Sequence, residues 1–117
     1  MLTEAERPFD QESLEDRKLA QIVESLVKVY GPQAVYLFGS AARGAAGPDS
    51  DYDLLLVVSD SAPEQLRRAR VGYQALWKLG TGADIAICTR TEFESRLHLK
   101  ASLPATVLRE GKLLYAA

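Results

Sequence analysis

The run Leu54-Leu55-Leu56-Val57-Val58 constrains the fold of this chain more than any other stretch. Five consecutive aliphatic or β-branched residues have the length and composition of a strand buried on both faces. The residues leading into the run have the opposite chemistry. Gly47-Pro48 marks a turn, and Asp49, Asp51 and Asp53 then place carboxylates at every second position. Side chains alternate along a strand, so Asp51 and Asp53 are expected to face one side, about 6.6 Å apart, with Tyr52 on the other. Two carboxylates therefore point together at the mouth of a buried strand.

Several site types are excluded by what accompanies them. A calcium loop starting at Asp49 would need glycine at its sixth position and glutamate at its twelfth, where this chain has Leu54 and Asp60. Asp49 and Asp60 read as turn carboxylates. Gly39 and Gly44 have Walker A spacing, but Ala45-Ala46 stand where that loop has Lys and Ser or Thr. What remains is Gly39-Ser40 at the end of the apolar stretch AVYLF. There Gly39 permits close backbone approach, and the Ser40 hydroxyl with free backbone N–H groups could hold phosphate oxygens. The single cysteine, Cys88, excludes an internal disulfide and a multi-cysteine zinc site, and within IAIC it reads as a small core residue. His98, the one histidine, reads as a helix-surface or boundary residue.

The 117 residues suit one domain, residues 1–117, with residues 1–9 as a loose arm ending near Pro8. A helix follows, capped by Asp10 or Ser13, with Leu19, Ile22, Val23, Leu26, Val27 and Tyr30 on one face and a stop at Gly31-Pro32. Strands are expected at 34–40, 52–59 and 83–89. A helix between Pro63 and Gly80 carries the stripe Leu66, Ala69, Tyr73, Leu76 and Trp77, with Trp77 in the core. TEFESRLHL and LPATVLREG read as short helices and KLLYA as a terminal strand. The fold class is α/β (α+β), a mixed sheet of three to four strands with helices packed on it. Arg67, Arg68 and Arg70 read as a solvated face. The C-terminal segment LPATVLREGKLLYAA holds more apolar residues than one small core is expected to absorb, which points to a partner.

With 47% hydrophobic residues, 26% charged and a formal net charge of -2, the composition is that of an ordinary soluble protein with no nucleic-acid footprint. The polar, acidic N-terminal stretch lacks a signal-peptide layout, and no apolar run nears the roughly 20 residues of a membrane span, so a cytoplasmic location is expected.

From Gly39-Ser40, ten residues intervene before Asp51-Tyr52-Asp53, with an apolar strand on each side. This two-part pattern resembles the signature of the nucleotidyltransferase superfamily that includes DNA polymerase β. The wording GSAARG and SDYDLLLV is similar to the minimal nucleotidyltransferases of bacteria and archaea, over roughly residues 15–115. The resemblance implies a polymerase β-like fold and a third carboxylate on a neighbouring strand, for which Asp84 in GADIAICT is the candidate. Three like charges within a few Å need a compensating cation, and oxygen-only ligands favour Mg²⁺, with Mn²⁺ as a substitute. By resemblance, Asp51 and Asp53 bridge two such ions, and Asp84 completes one ion's shell and helps to activate an acceptor hydroxyl. Gly39 and Ser40 hold the triphosphate of ATP or another nucleoside triphosphate. Arg43 either neutralises phosphate charge or lies on the surface. Transfer of AMP with release of pyrophosphate is the implied reaction.

Relatives of this minimal kind pair with helical HEPN proteins as antitoxins that modify a toxin tyrosine with AMP. Protein adenylylation within such a toxin-antitoxin pair is therefore the leading expectation. Nucleotidyl transfer to a small hydroxylated molecule across a homodimer is the alternative enzyme, and a catalytically silent nucleotide-binding module the non-enzymatic one.

Overall fold

A computed structural model describes residues 14–39, 52–80 and 82–117. In chain order the elements are α1 (Leu14–Tyr30), β1 (Ala34–Phe38), β2 (Tyr52–Val58), a 3-10 turn (Glu64–Arg67), α2 (Arg70–Lys78), β3 (Ala83–Thr89), α3 (Arg90–Ser95), α4 (Leu103–Glu110) and β4 (Lys112–Ala116). The four strands form one mixed sheet in the order β3-β2-β1-β4. β1 runs antiparallel to both β2 and β4, and β2 runs parallel to β3 through the α2 crossover.

The apolar run forms the centre of this sheet, and Leu54 to Val58 are all 2% exposed or less. Alternation sends its side chains into two separate cores. Leu54, Leu56 and Val58 pack with Leu19, Ile22, Leu26 and Tyr30 of α1 and Leu76 of α2. Leu55 and Val57 pack on the other face with Phe93 of α3 and Val107 of α4. A strand needs apolar residues at every position only when both of its faces are covered, which is the arrangement here. Tyr36 stacks on Phe93 with centroids 5.6 Å apart, extending the second core along β1. Cys88 is half-buried beside this core, and burial pushes its thiol up to about 11, so it stays protonated and unreactive at neutral pH.

The continuous helix expected from Pro63 to Gly80 is broken at Arg68, whose backbone is extended. Tertiary bonds cause the break. The Tyr30 hydroxyl donates to the Arg68 carbonyl at 2.7 Å, and the Arg67 guanidinium donates to the carbonyls of Asp60 and Ala62. The Tyr30 oxygen also accepts the Gly72 N–H at 2.8 Å, in the first turn of α2, a helix whose own N-cap, Ala69, supplies no side-chain bond. Tyr30 thus caps α2 from another helix.

Restarting the helix at Arg70 turns Gly72 and Leu76 into the sheet and leaves Tyr73 and Trp77 on the neighbouring stripe. Trp77 is 86% exposed, contrary to its expected place in the core. The expected apolar surplus at the C-terminus is also corrected. Pro104 and Val107 are buried, Leu103, Leu113, Leu114 and Tyr115 pack against the two cores, and of this segment's large apolar residues only Leu108 is exposed. The loose arm expected over residues 1–9 and its Asp10 or Ser13 cap lie outside the described residues. Among the described residues, no helix is long and apolar enough to cross a membrane.

Candidate functional site

Three strand ends meet at one end of the sheet: the C-terminus of β1 and the N-termini of β2 and β3. Phe38 pairs with Asp53 across β1 and β2, and Asp53 pairs with Asp84 across β2 and β3. Asp53 shares a sheet face with Leu55 and Val57, and Asp84 shares it with Ala86 and Cys88, so both carboxylates project toward the side covered further along by α3 and α4. Paired positions on neighbouring strands lie about 4.8 Å apart. The structure therefore brings together two of the three expected carboxylates, Asp53 partly buried and Asp84 exposed to solvent. Tyr52, as its alternation requires, packs against the α1 core on the opposite face.

Gly39 completes this corner. Its φ of +74° lies in the left-handed region that side chains disfavour, and a Cβ there would overlap the Asp53 carboxylate, with Asp53 Cγ only 3.2 Å away. Only glycine lets the chain leave β1 in contact with that carboxylate. The other expected site residues, Ser40, Arg43 and Asp51, lie outside the described residues, as does Asp49.

Asp60 is remote from this corner, in the turn that follows β2. It accepts the Thr91 N–H at 2.9 Å and the Thr91 hydroxyl, and these bonds hold its carboxyl below the usual range. Its place is thus a turn, as expected, but its side chain holds the first turn of α3. Thr89 and Glu92 form a capping box at the same helix start, which likewise lowers the Glu92 pKa. His98 is exposed in the turn after α3.

Among the described residues, no three His, Cys, Asp or Glu side chains converge as metal ligands. The chemistry of the pair that does converge still fits one kind of ion. Asp53 and Asp84 offer only oxygen, at an accessible strand end, which suits a hard divalent cation that keeps part of its water shell. Sequence reasoning missed two features, the Tyr30 cap and the exposed Trp77. The internal Gly72 of a nine-residue helix was the available signal, since such a glycine weakens a helix unless something packs against it.

Known structures share this fold. A Sulfolobus solfataricus protein assigned as a nucleotidyltransferase superposes with a TM-score of 0.57 at 21% identity, over 86% of this chain and 78% of its own. A chain of a toxin-antitoxin complex with AMP-PNP gives 0.53 at 22% identity, over 83% of this chain and 73% of its own. A chain from the complex of a tri-AMPylated Shewanella oneidensis HEPN toxin with its MNT antitoxin gives 0.51 at 17% identity, over 89% and 74%. At such identities the likeness is one of fold, the polymerase β-like nucleotidyltransferase fold. No curated protein matches the chain in sequence. The family described as "Nucleotidyltransferase domain" matches residues 16–113, from α1 into β4, and so takes in the three strand ends and the two paired aspartates. By that match and by its fold, the chain belongs to the nucleotidyltransferase domain family.

Proposed function

We propose that this chain transfers AMP from ATP to a hydroxyl of a helical HEPN-like partner protein, as the antitoxin of a toxin-antitoxin pair. The observation that carries the chemistry is the Asp53–Asp84 pairing beside Gly39. Two solved neighbours of this fold, one with AMP-PNP and one with an AMPylated HEPN toxin, support the choice of nucleotide and acceptor.

In this reading Gly39 and Ser40 receive the triphosphate, and Arg43 offsets its charge. Asp53 and Asp84, together with Asp51, would hold Mg²⁺, which when bound neutralises phosphate oxygens and acidifies the acceptor hydroxyl. The hydroxyl oxygen attacks the α-phosphorus and its proton passes to Asp84. The bond from the α-phosphorus to the bridging oxygen breaks opposite the attack, and pyrophosphate leaves.

The test is to incubate the chain with ATP, Mg²⁺ and the co-expressed helical protein and to measure intact mass. One or more AMP additions are expected, absent with Asp53→Ala. Asp84→Asn should keep most of the nucleotide affinity while turnover falls by about 100-fold or more, the loss expected for a group that handles the proton. A chain that leaves the helical protein unlabelled but modifies a free sugar or aminoglycoside would replace this acceptor with a small molecule.

A further inference from the structure

Among the described residues most large apolar side chains are buried or half-buried, so the exception on α2 stands out. Trp77 is 86% exposed and Tyr73 45%, on one stripe of a short helix. Two open hollows of about 770 and 610 Å³ adjoin there and share Tyr73 and Trp77 as walls. Arg70 and Lys78 line the first and Lys18 of α1 the second, and among the described residues no carboxylate lines either. A chain of net charge -2 thus presents an aromatic surface rimmed by three cations.

The cations are available. Arg67 and Arg68 are engaged, by backbone carbonyls and by Glu64 respectively, whereas Arg70, Lys18 and Lys78 make no hydrogen bond or ion pair among the described residues. That division also argues against a nucleic-acid track, which needs basic residues continued along a strand's path. What fits is a protein segment with an apolar anchor for the hollows and carboxylates for the rim.

Position gives this surface a use. Gly82 lines the second hollow, and Asp84 lies two residues beyond it, about 7 Å along β3. Among the described residues β3 is an edge strand, and the Tyr73 hydroxyl accepts its Ile85 N–H at 3.0 Å, tying the aromatic surface to that edge. A protein seated on α2 therefore reaches the carboxylate pair around the open edge of the sheet.

We infer that the Trp77 face of α2 docks an acidic, apolar-anchored segment of the protein acceptor and so holds the acceptor hydroxyl at Asp84, an inference that rests on the proposed adenylylation.

The experiment uses the full chain and its co-expressed helical protein. Trp77 is the chain's one tryptophan, so fluorotryptophan labelling gives a single fluorine resonance that should move from a solvent-like position when the partner binds. Trp77→Ala and the double change Arg70→Glu with Lys78→Glu should each weaken partner binding by about tenfold or more. They should leave Mg·ATP affinity unchanged, and labelling should recover at high partner concentration, a rise in KM at constant kcat. Salt should weaken the wild-type complex more than that of the charge-reversed variant. If the wild type labels its partner and both variants bind it as tightly, the docking surface is overturned and the adenylylation stands. If the wild type neither binds nor labels the helical protein, both fail. Loss of self-association in Trp77→Ala with partner binding intact, or its loss of affinity for a single-stranded RNA oligonucleotide only, also overturns the inference.

Discussion

A methyl group at position 39 would have to share space with the Asp53 carboxylate, and the backbone there is already in a conformation that alanine resists. The two costs act on the same corner. The left-handed backbone alone costs a non-glycine residue about 1–2 kcal/mol, and relieving the overlap means turning the Asp53 carboxylate away from its place beside position 39. Gly39→Ala is therefore expected to lower stability by about 2 kcal/mol and to weaken Mg·ATP binding by more than tenfold. Calorimetric titration of ATP with thermal unfolding checks both, and unchanged nucleotide affinity would separate Gly39 from the site. Asp60 has the same charge as Asp53 and follows the same strand, yet it is committed to the Thr91 backbone and hydroxyl. What distinguishes these carboxylates is the strand end at which each sits.

Among the described elements, α2 is the one whose start is held by a side chain of another helix. It is nine residues long, shorter than an isolated helix can sustain, and its N-terminus is capped by the Tyr30 hydroxyl of α1. Tyr30→Phe leaves the Gly72 N–H and the Arg68 carbonyl without their partner and should cost about 1–3 kcal/mol. Gly72→Ala, which in an ordinary helix would stabilise, should destabilise here, because its Cβ would lie 2.8 Å from both the Tyr30 hydroxyl and the Ile85 Cδ1. Urea denaturation of the two variants measures both effects. A stabilised Gly72→Ala would show that the junction between α1, α2 and β3 is looser than these contacts require. The same junction sets the phase of α2, and so leaves Trp77 outside.

At the scale of the molecule, the two cores lie on either side of the sheet and the paired carboxylates lie at its end, contributing to neither core. Folding and metal binding are then separable. Chelation by EDTA should leave the unfolding temperature of the nucleotide-free chain nearly unchanged. Saturating Mg·ATP should raise stability by about 2.7 kcal/mol when the ligand is at one hundred times its dissociation constant, and EDTA should reverse the gain. Circular dichroism on heating checks this. Unfolding on chelation alone would mean that a metal is part of the fold.

The sequence by itself determined the strands and the alternation of their faces. LLLVV had the composition of a strand covered on both sides, ADIAICT and KLLYA became β3 and β4 over the residues read for them, and period-two alternation put Asp53 and Tyr52 on opposite faces. Those are local rules, acting through side-chain period and chain length. Tertiary structure decided what local pattern leaves open. It settled the register that sets Asp53 beside Asp84, the overlap that makes glycine necessary at position 39, the break at Arg68 and the exposure of Trp77. Helical periodicity marks a stripe but not its phase against the sheet. Here the phase came from one buried hydroxyl, Tyr30, whose partners stand 38 and 42 residues further along the chain.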